Sequence, residues 1–282
     1  MDPFFARSVA LLLAASGLLA ANDLDAQIKA KIGGFAGTVS VYARNLDNGA
    51  AYSLRGDERV RTASTIKLAI LSEVYAEASD GRLNLDEVVE LKGASKVQGA
   101  GILQDLSNGD KLPWRDVVLL MIVLSDNTAT NLVLDRIGGD PVNARMEALG
   151  LKQTRVLRKI GGGGDTKASR DPANQGFGIG VSTPHEMVDL IEKLTASPEI
   201  LGILKKQRYK DGIGRRVPYD VASKSGALDA LRSDVGIVFT PKGRIAIAVT
   251  VDDMPKVDYS EDNVGNILIA ELTKVLIGGL GD

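Results

Sequence analysis

The stretch from Val235 to Val251 constrains the fold most. Val235 to Thr240 is rich in β-branched residues, Pro241-Lys242-Gly243 is a turn, and Arg244 to Val251 alternates large and small apolar side chains. That pattern is a β-hairpin with too much apolar surface to stand alone. A second hairpin lies near the other end of the chain. Thr38 to Ala43 alternates, Asp47-Asn48-Gly49 turns, and Ala51 to Leu54 returns. Between the hairpins the period changes. Ile66, Ala69, Ile70, Val74 and Ala78 predict a helix over 65–79, ended by Gly81. Trp114 to Leu124 predicts a helix buried on most sides. A further helix runs from about Thr128 to Ile137, and Asp140-Pro141 supplies an N-cap and N1 proline for the next, ending at Gly150. Thr183-Pro184-His185-Glu186 reads as a capping box opening a helix through Leu194, and an amphipathic helix closes the chain at about 262–276.

Two hairpins at opposite ends are packed most economically in one antiparallel sheet, with the C-terminal helix on one face. The expected class is α+β, an α/β sandwich. The sheet subdomain takes about 22–62 and 216–282, with an all-helical subdomain inserted over about 63–215. A cleft between them is the expected ligand site.

Composition narrows the chemistry. There is no Cys, so disulfides, thiol nucleophiles, iron–sulfur clusters and Cys-ligated zinc are excluded. A single His excludes a multi-His zinc site. The net charge of −2 gives no basic footprint for nucleic acid. Arg7 precedes an apolar run, Val9 to Ala21, that is too short to span a bilayer, which needs about 20 residues. It ends in small residues and reads as a signal peptide over 1–21, so the chain is expected to be exported, periplasmic or secreted.

Three motifs carry the chemistry. In Ser64-Thr65-Ile66-Lys67 the i, i+3 spacing puts an ammonium group beside a hydroxyl. A serine needs a base to become a nucleophile, and a lysine is that base only when desolvation or nearby positive charge lowers its pKa. Alone, the pattern describes an N-cap serine and a solvated lysine more readily. In Ser125-Asp126-Asn127 all three residues suit a helix–helix joint. Functionally, Ser125 is a proton relay and Asn127 an amide contact to substrate or to Lys67. In Lys224-Ser225-Gly226-Ala227, at a strand end, the lysine and hydroxyl suit a substrate carboxylate. Gly226 lets a substrate backbone approach, and the Ala227 N–H can serve as an oxyanion donor beside that of Ser64. A solvated strand end fits the same residues.

Together and in this order the motifs resemble those of penicillin-recognising serine hydrolases. The flanking Leu120-Met121-Ile122-Val123-Leu124 and Asn127-Thr128-Ala129-Thr130-Asn131 are similar to class A β-lactamases, and the likeness runs from about Ala26 to Leu276. It implies that Ser64 attacks an activated amide or ester, Lys67 takes its proton, Ser125 protonates the leaving nitrogen, and Lys224 with Ser225 holds a carboxylate. Arg232, just past the third motif, would pair with that carboxylate or lie on the surface. No metal or cofactor is implied. The expected partner is a small β-lactam or an acyl-D-Ala-D-Ala-like compound, and the expected state a monomer with no membrane span.

One departure stands out. Class A enzymes deacylate with a glutamate two residues after an arginine on an omega-shaped loop. Here Arg158-Lys159-Ile160 puts isoleucine in its place, before four glycines and a longer loop. The stretch 161–180 contains Asp165, Asp171 and Asn174, and Asp165 or Asp171 could supply another carboxylate if the loop folds into the cleft; otherwise it is a solvated loop. Gly161 to Lys167 is no phosphate loop, since Gly-Lys-Ser/Thr is absent. His185, early in its helix, is expected to pack there and not beside Ser64. The rival readings are a D,D-peptidase or esterase on the same fold, and a penicillin-binding sensor that acylates and stops.

Overall fold

The computed structural model describes residues 23–281; the expected signal peptide lies outside them. A helix over 23–32 (α1) leads into β1 (Thr38–Asn45) and β2 (Ala51–Leu54), then β3 (Val60–Arg61). A 3-10 turn, Ala63–Ile66, feeds α2 (Lys67–Ser79). After β4 (Val88–Glu90) and β5 (Lys111–Pro113) come α3 (Trp114–Val123), α4 (Asn127–Ile137) and α5 (Gly139–Ala148). Then follow β6 (Arg155–Val156), β7 (Gly180–Ser182), α6 (Pro184–Thr195) and α7 (Pro198–Lys205). The chain closes with β8 (Asp220–Leu228), β9 (Leu231–Thr240), β10 (Gly243–Asp252) and α8 (Val264–Leu280).

Both hairpins join one five-stranded antiparallel sheet, ordered β2-β1-β10-β9-β8. Its register explains the large–small alternation. In β10, Ile245, Ile247, Val249 and Val251 face the terminal helices α1 and α8, while Ala246 and Ala248 face the helical layer through α6. Strand periodicity puts the branched side chains on one face and leaves room on the other for a helix to approach closely. Burying each such Ile or Val contributes about 1.5–3 kcal/mol. α2 runs through the centre of the second core and is buried at every position from Lys67 to Val74.

The inserted segment is chiefly helical, but short strands stiffen it: β6 and β7 pair with each other and with β3, and β4 pairs with β5. Local patterns of two or three residues are too short to carry a readable period. Two caps differ from the sequence reading. Thr183 caps α6 by accepting from Glu186 N, but the Glu186 carboxylate turns outward to Gln153 N and Thr154 Oγ1, so the box closes on one side only. α5 starts at Gly139, and Asp140 accepts from Lys167 N across the loop instead of capping. β9 begins at Leu231, four residues earlier than its β-branched run suggests.

Candidate active site

β8 is an edge strand, and its open side meets the turn that carries Ser64. The two backbones nearly touch: a Cβ on Gly226 would lie 2.9 Å from Ser64 N and 3.0 Å from Thr62 O. Only glycine fits there. In a 3-10 turn residues i and i+3 eclipse, so Ser64 and Lys67 share one side of the chain. Ala63, just before the serine, holds φ at 47°, a left-handed conformation that alanine adopts only when its surroundings force it. Ser64 is half-buried at the cavity wall, whereas Lys67, one turn on, is fully buried.

Ser125 sits at the α3–α4 joint, also with a positive φ of 52°. Its hydroxyl oxygen accepts from two lysine nitrogens, Lys67 Nζ at 3.1 Å and Lys224 Nζ at 3.0 Å. A hydroxyl has two lone pairs and one proton. With both lone pairs occupied by the lysines, the Ser125 proton is left to point at a substrate. Lys67 Nζ also donates to Ser125 O at 2.7 Å and Asn127 Oδ1 at 3.3 Å, and Lys224 Nζ to Ser225 O at 2.6 Å. No hydrogen bond joins Lys67 to Ser64, which corrects the simple expectation from spacing. The lysine reaches past its neighbour to the second motif.

Electrostatics separates the two lysines. Burial pushes Lys67 well below the usual lysine range, the nearby Lys224 charge pushes it further, and Asp126 opposes. Burial lowers Lys224 to about 7, with Asp234 opposing. Asp234 is itself raised to about 6, chiefly by burial, against N–H donors from Ile213 and Val235 and the Lys224 charge. Buried groups shifted in this way are candidates for an acid–base site.

Ser64, Ser125, Asn127, Ser225, Gly226 and Ala227 line one cavity of about 540 Å³. Asn127 is held in it by Nδ2 donating to Gln98 O at 3.1 Å. Arg232 lines it too, with part of its guanidinium held by backbone. It donates to the carbonyls of Leu228 and Leu231 at 2.7 and 2.6 Å and to that of Asp258, and lies over the Tyr259 ring. It is therefore a buried part of the cavity wall, which rules out the surface alternative.

The loop around Ile160 is pinned. The Asn131 amide grips the Ile160 backbone from both sides, accepting from its N–H at 3.0 Å and donating to its carbonyl at 2.9 Å. None of the polar substitutes suggested by sequence turns to the cavity. Asp165 is exposed and faces Arg158 at 3.8 Å, Asp171 caps Ala173 N, and Asn174 Nδ2 donates to Ala168 O. His185 stacks on Tyr42 at 4.0 Å and bonds Asp57 at 2.8 Å, away from Ser64. Among the described residues no cluster of three or more His, Asp or Glu is placed to hold a metal, and no helix is long and apolar enough to cross a membrane.

Two residues of this region carry more than their sequence reading. Asp126 is 1% exposed and accepts from three backbone N–H groups, those of Ile102, Leu103 and Ala129, tying the loop over the cavity to the second motif. Asp234 is also 1% exposed and keeps one carboxylate oxygen unpaired. It stands one residue before the β-branched run that begins at Val235, so the strand read from sequence does not include it.

A family model described as the beta-lactamase enzyme family matches residues 23–279. The imipenem-hydrolyzing β-lactamase of Enterobacter cloacae is 29% identical over 268 residues, covering 87% of this chain and 86% of that one. The β-lactamase of Bacillus licheniformis is 29% identical over 91% of this chain and 81% of its own. Among solved structures, a β-lactamase from Sphaerobacter thermophilus is similar with a TM-score of 0.78 at 30% identity, over 90% and 95% of the two chains. PBP-A is similar with a TM-score of 0.78 at 26% identity, over 91% and 95%. A leucine-to-glutamate variant of PBP-A, solved as an acyl-enzyme complex with penicillin G, gives a TM-score of 0.76 over 91% and 96%.

Proposed function

Because the chain belongs to the beta-lactamase enzyme family, we propose that it is an exported serine hydrolase that opens β-lactams through an acyl-enzyme on Ser64. The observation that carries this reading is the Ser125 hydroxyl held by the Nζ atoms of both lysines at the wall Ser64 shares.

Lys67, whose uncharged form burial favours, takes the Ser64 Oγ proton as Oγ forms its bond to the lactam carbonyl carbon. The carbonyl oxygen gains the negative charge and sits between the backbone N–H groups of Ser64 and Ala227, where a donor contributes about 3–4 kcal/mol. The carbon–nitrogen bond then breaks, and Ser125 gives its proton to the nitrogen. Lys67, now an ammonium, returns a proton to Ser125 along the 3.1 Å bond. Lys224 and Ser225 hold the substrate carboxylate. Arg232 contributes the cavity wall and its positive field.

Deacylation is the slow step in this reading. A water must be activated opposite the ester, and Ile160 can neither hold nor deprotonate one. That same isoleucine favours a second reading, a penicillin-binding protein that acylates and is released slowly, as a D,D-peptidase or a sensor. Treatment with penicillin G followed by peptide mapping tests the common core. The adduct is expected on the peptide containing Ser64, and an adduct that survives Ser64→Ala refutes the assignment. A lifetime of seconds separates a hydrolase from a sensor holding its adduct for hours. The working unit is proposed to be a monomer.

A further inference from the structure

The cavity extends beyond the reacting groups. Past Ser225 and Ala227 it continues into a rear lobe lined by Tyr209, Asp211, Arg232, Asp234, Tyr259 and Asn266. The proposed mechanism uses little of it.

The lobe is acidic by construction. Asp234 stands opposite Ser225 in the β8–β9 register, so its carboxylate adjoins the place where Ser225 would hold a substrate carboxylate. One oxygen accepts from Ile213 N at 2.9 Å; the other is buried and has no partner. No ion pair neutralises Asp234 or Asp211 among the described residues. Arg232 does not supply one, since its hydrogen bonds go to backbone carbonyls. Around it, Asp229, Asp258 and Glu261 stand against Lys256 and Arg232, while Asp262 is paired with Arg215. Carboxylates on a low-dielectric wall focus their field into a cleft. Two tyrosines complete the lining; the Tyr259 ring already carries the Arg232 guanidinium, which leaves Tyr209 as the aromatic ring beside the carboxylates for a weakly hydrated organic cation.

We propose that this rear lobe is a subsite for a cationic substituent carried next to the substrate's carboxylate. The proposal rests on the reading of Lys224 and Ser225 as the carboxylate site. Charges then alternate along the bound molecule: the lysine ammonium, the substrate carboxylate, the substrate cation, and Asp234 with Asp211. The class is a zwitterionic β-lactam bearing a pyridinium or quaternary ammonium group on its ring, in preference to one with a neutral group there.

Cephaloridine and cephalothin form the matched pair. They share an acyl side chain and differ beside the carboxylate, pyridinium in the first and acetoxy in the second. Second-order acylation constants give a cephaloridine-to-cephalothin ratio that cancels most effects on the shared chemistry. Asp234→Asn, which keeps an acceptor for Ile213 N, is expected to lower that ratio about tenfold, and Asp211→Asn about threefold, the range of one charge–cation contact in a partly desolvated site. A ratio unchanged in both variants overturns the subsite. Binding to Ser64→Ala protein, measured by calorimetry, reads the preference without chemistry: cephaloridine is expected to bind about tenfold tighter, and equal affinities overturn the proposal. Acylation by neither compound would reject the Ser64 mechanism, and the binding measurement would still decide the subsite.

Discussion

Restoring a carboxylate at Ile160 is the perturbation that most directly separates acylation from deacylation. The backbone there is fixed by the Asn131 amide, with bonds of 3.0 and 2.9 Å to the Ile160 N–H and carbonyl. Ile160→Glu therefore changes a side chain on a clamped backbone. The isoleucine is half-buried, so losing its apolar contacts costs about 1 kcal/mol, less than a core site would. Against that stands the gain of a positioned general base, about 10²–10⁴-fold in rate, or about 3–5 kcal/mol. The lower end, about a hundredfold, is expected. Gly161 to Gly164 all hold positive φ and give the new side chain a loop with few contacts to fix its rotamer. The assay is intact-mass measurement over time with penicillin G. Wild-type protein should show a burst near one equivalent and a long-lived adduct; Ile160→Glu should shorten the adduct's life about a hundredfold with acylation little changed. Ile160→Gln controls for size and polarity and should not. Fast linear turnover by the wild type, or an unchanged adduct lifetime in a folded Ile160→Glu protein, refutes the reasoning.

Three further outcomes follow from the same geometry. Gly226→Ala puts a Cβ 2.9 Å from Ser64 N, against backbone that cannot swing away, so the oxyanion donors shift and acylation should fall about 10²-fold; thermal unfolding should show a loss of about 1–3 kcal/mol, the usual overpacking cost, and unimpaired acylation contradicts the close approach. Lys224 titrates near 7, so it is a cation below that pH and an amine above it. Acylation by carboxylate-bearing β-lactams should decline as pH rises through about 7, while that by neutral esters stays flatter, and parallel profiles would remove the lysine from carboxylate binding. Asp126→Ala strands the N–H groups of Ile102, Leu103 and Ala129 in a buried site, an expected loss of about 3–5 kcal/mol in urea denaturation; a loss under about 1 kcal/mol would mean the loop finds other acceptors.

What the sequence discloses depends on the range of the interaction that fixes each feature. The β9–β10 hairpin is legible because its period and turn are local, and both faces of β10 can be assigned from Ile245 to Val251 alone. The three motifs are legible as a set because each residue type has few reasons to recur in that order. The direction of Lys67 is not. Spacing places its stem on the Ser64 side, but the acceptors that fix Nζ belong to Ser125, 58 residues away, whose own backbone is turned by the α3–α4 joint. Arg232 fails in the same way, since Asp258, which holds it, is 26 residues distant. Asp234 is the instructive middle case. It stands one residue before the β-branched run at Val235, so the sequence shows an acid at a strand edge, and the fold extends the strand back to Leu231 and buries it. Its one buried oxygen without a partner is costly, so such a residue persists only when something else in the molecule offsets it. The sequence locates the acid, not that cost. Only the fold, by placing Lys224 and the rear lobe beside Asp234, suggests what offsets it: the lysine's field in the free protein and, when a zwitterionic substrate binds, the cation it brings.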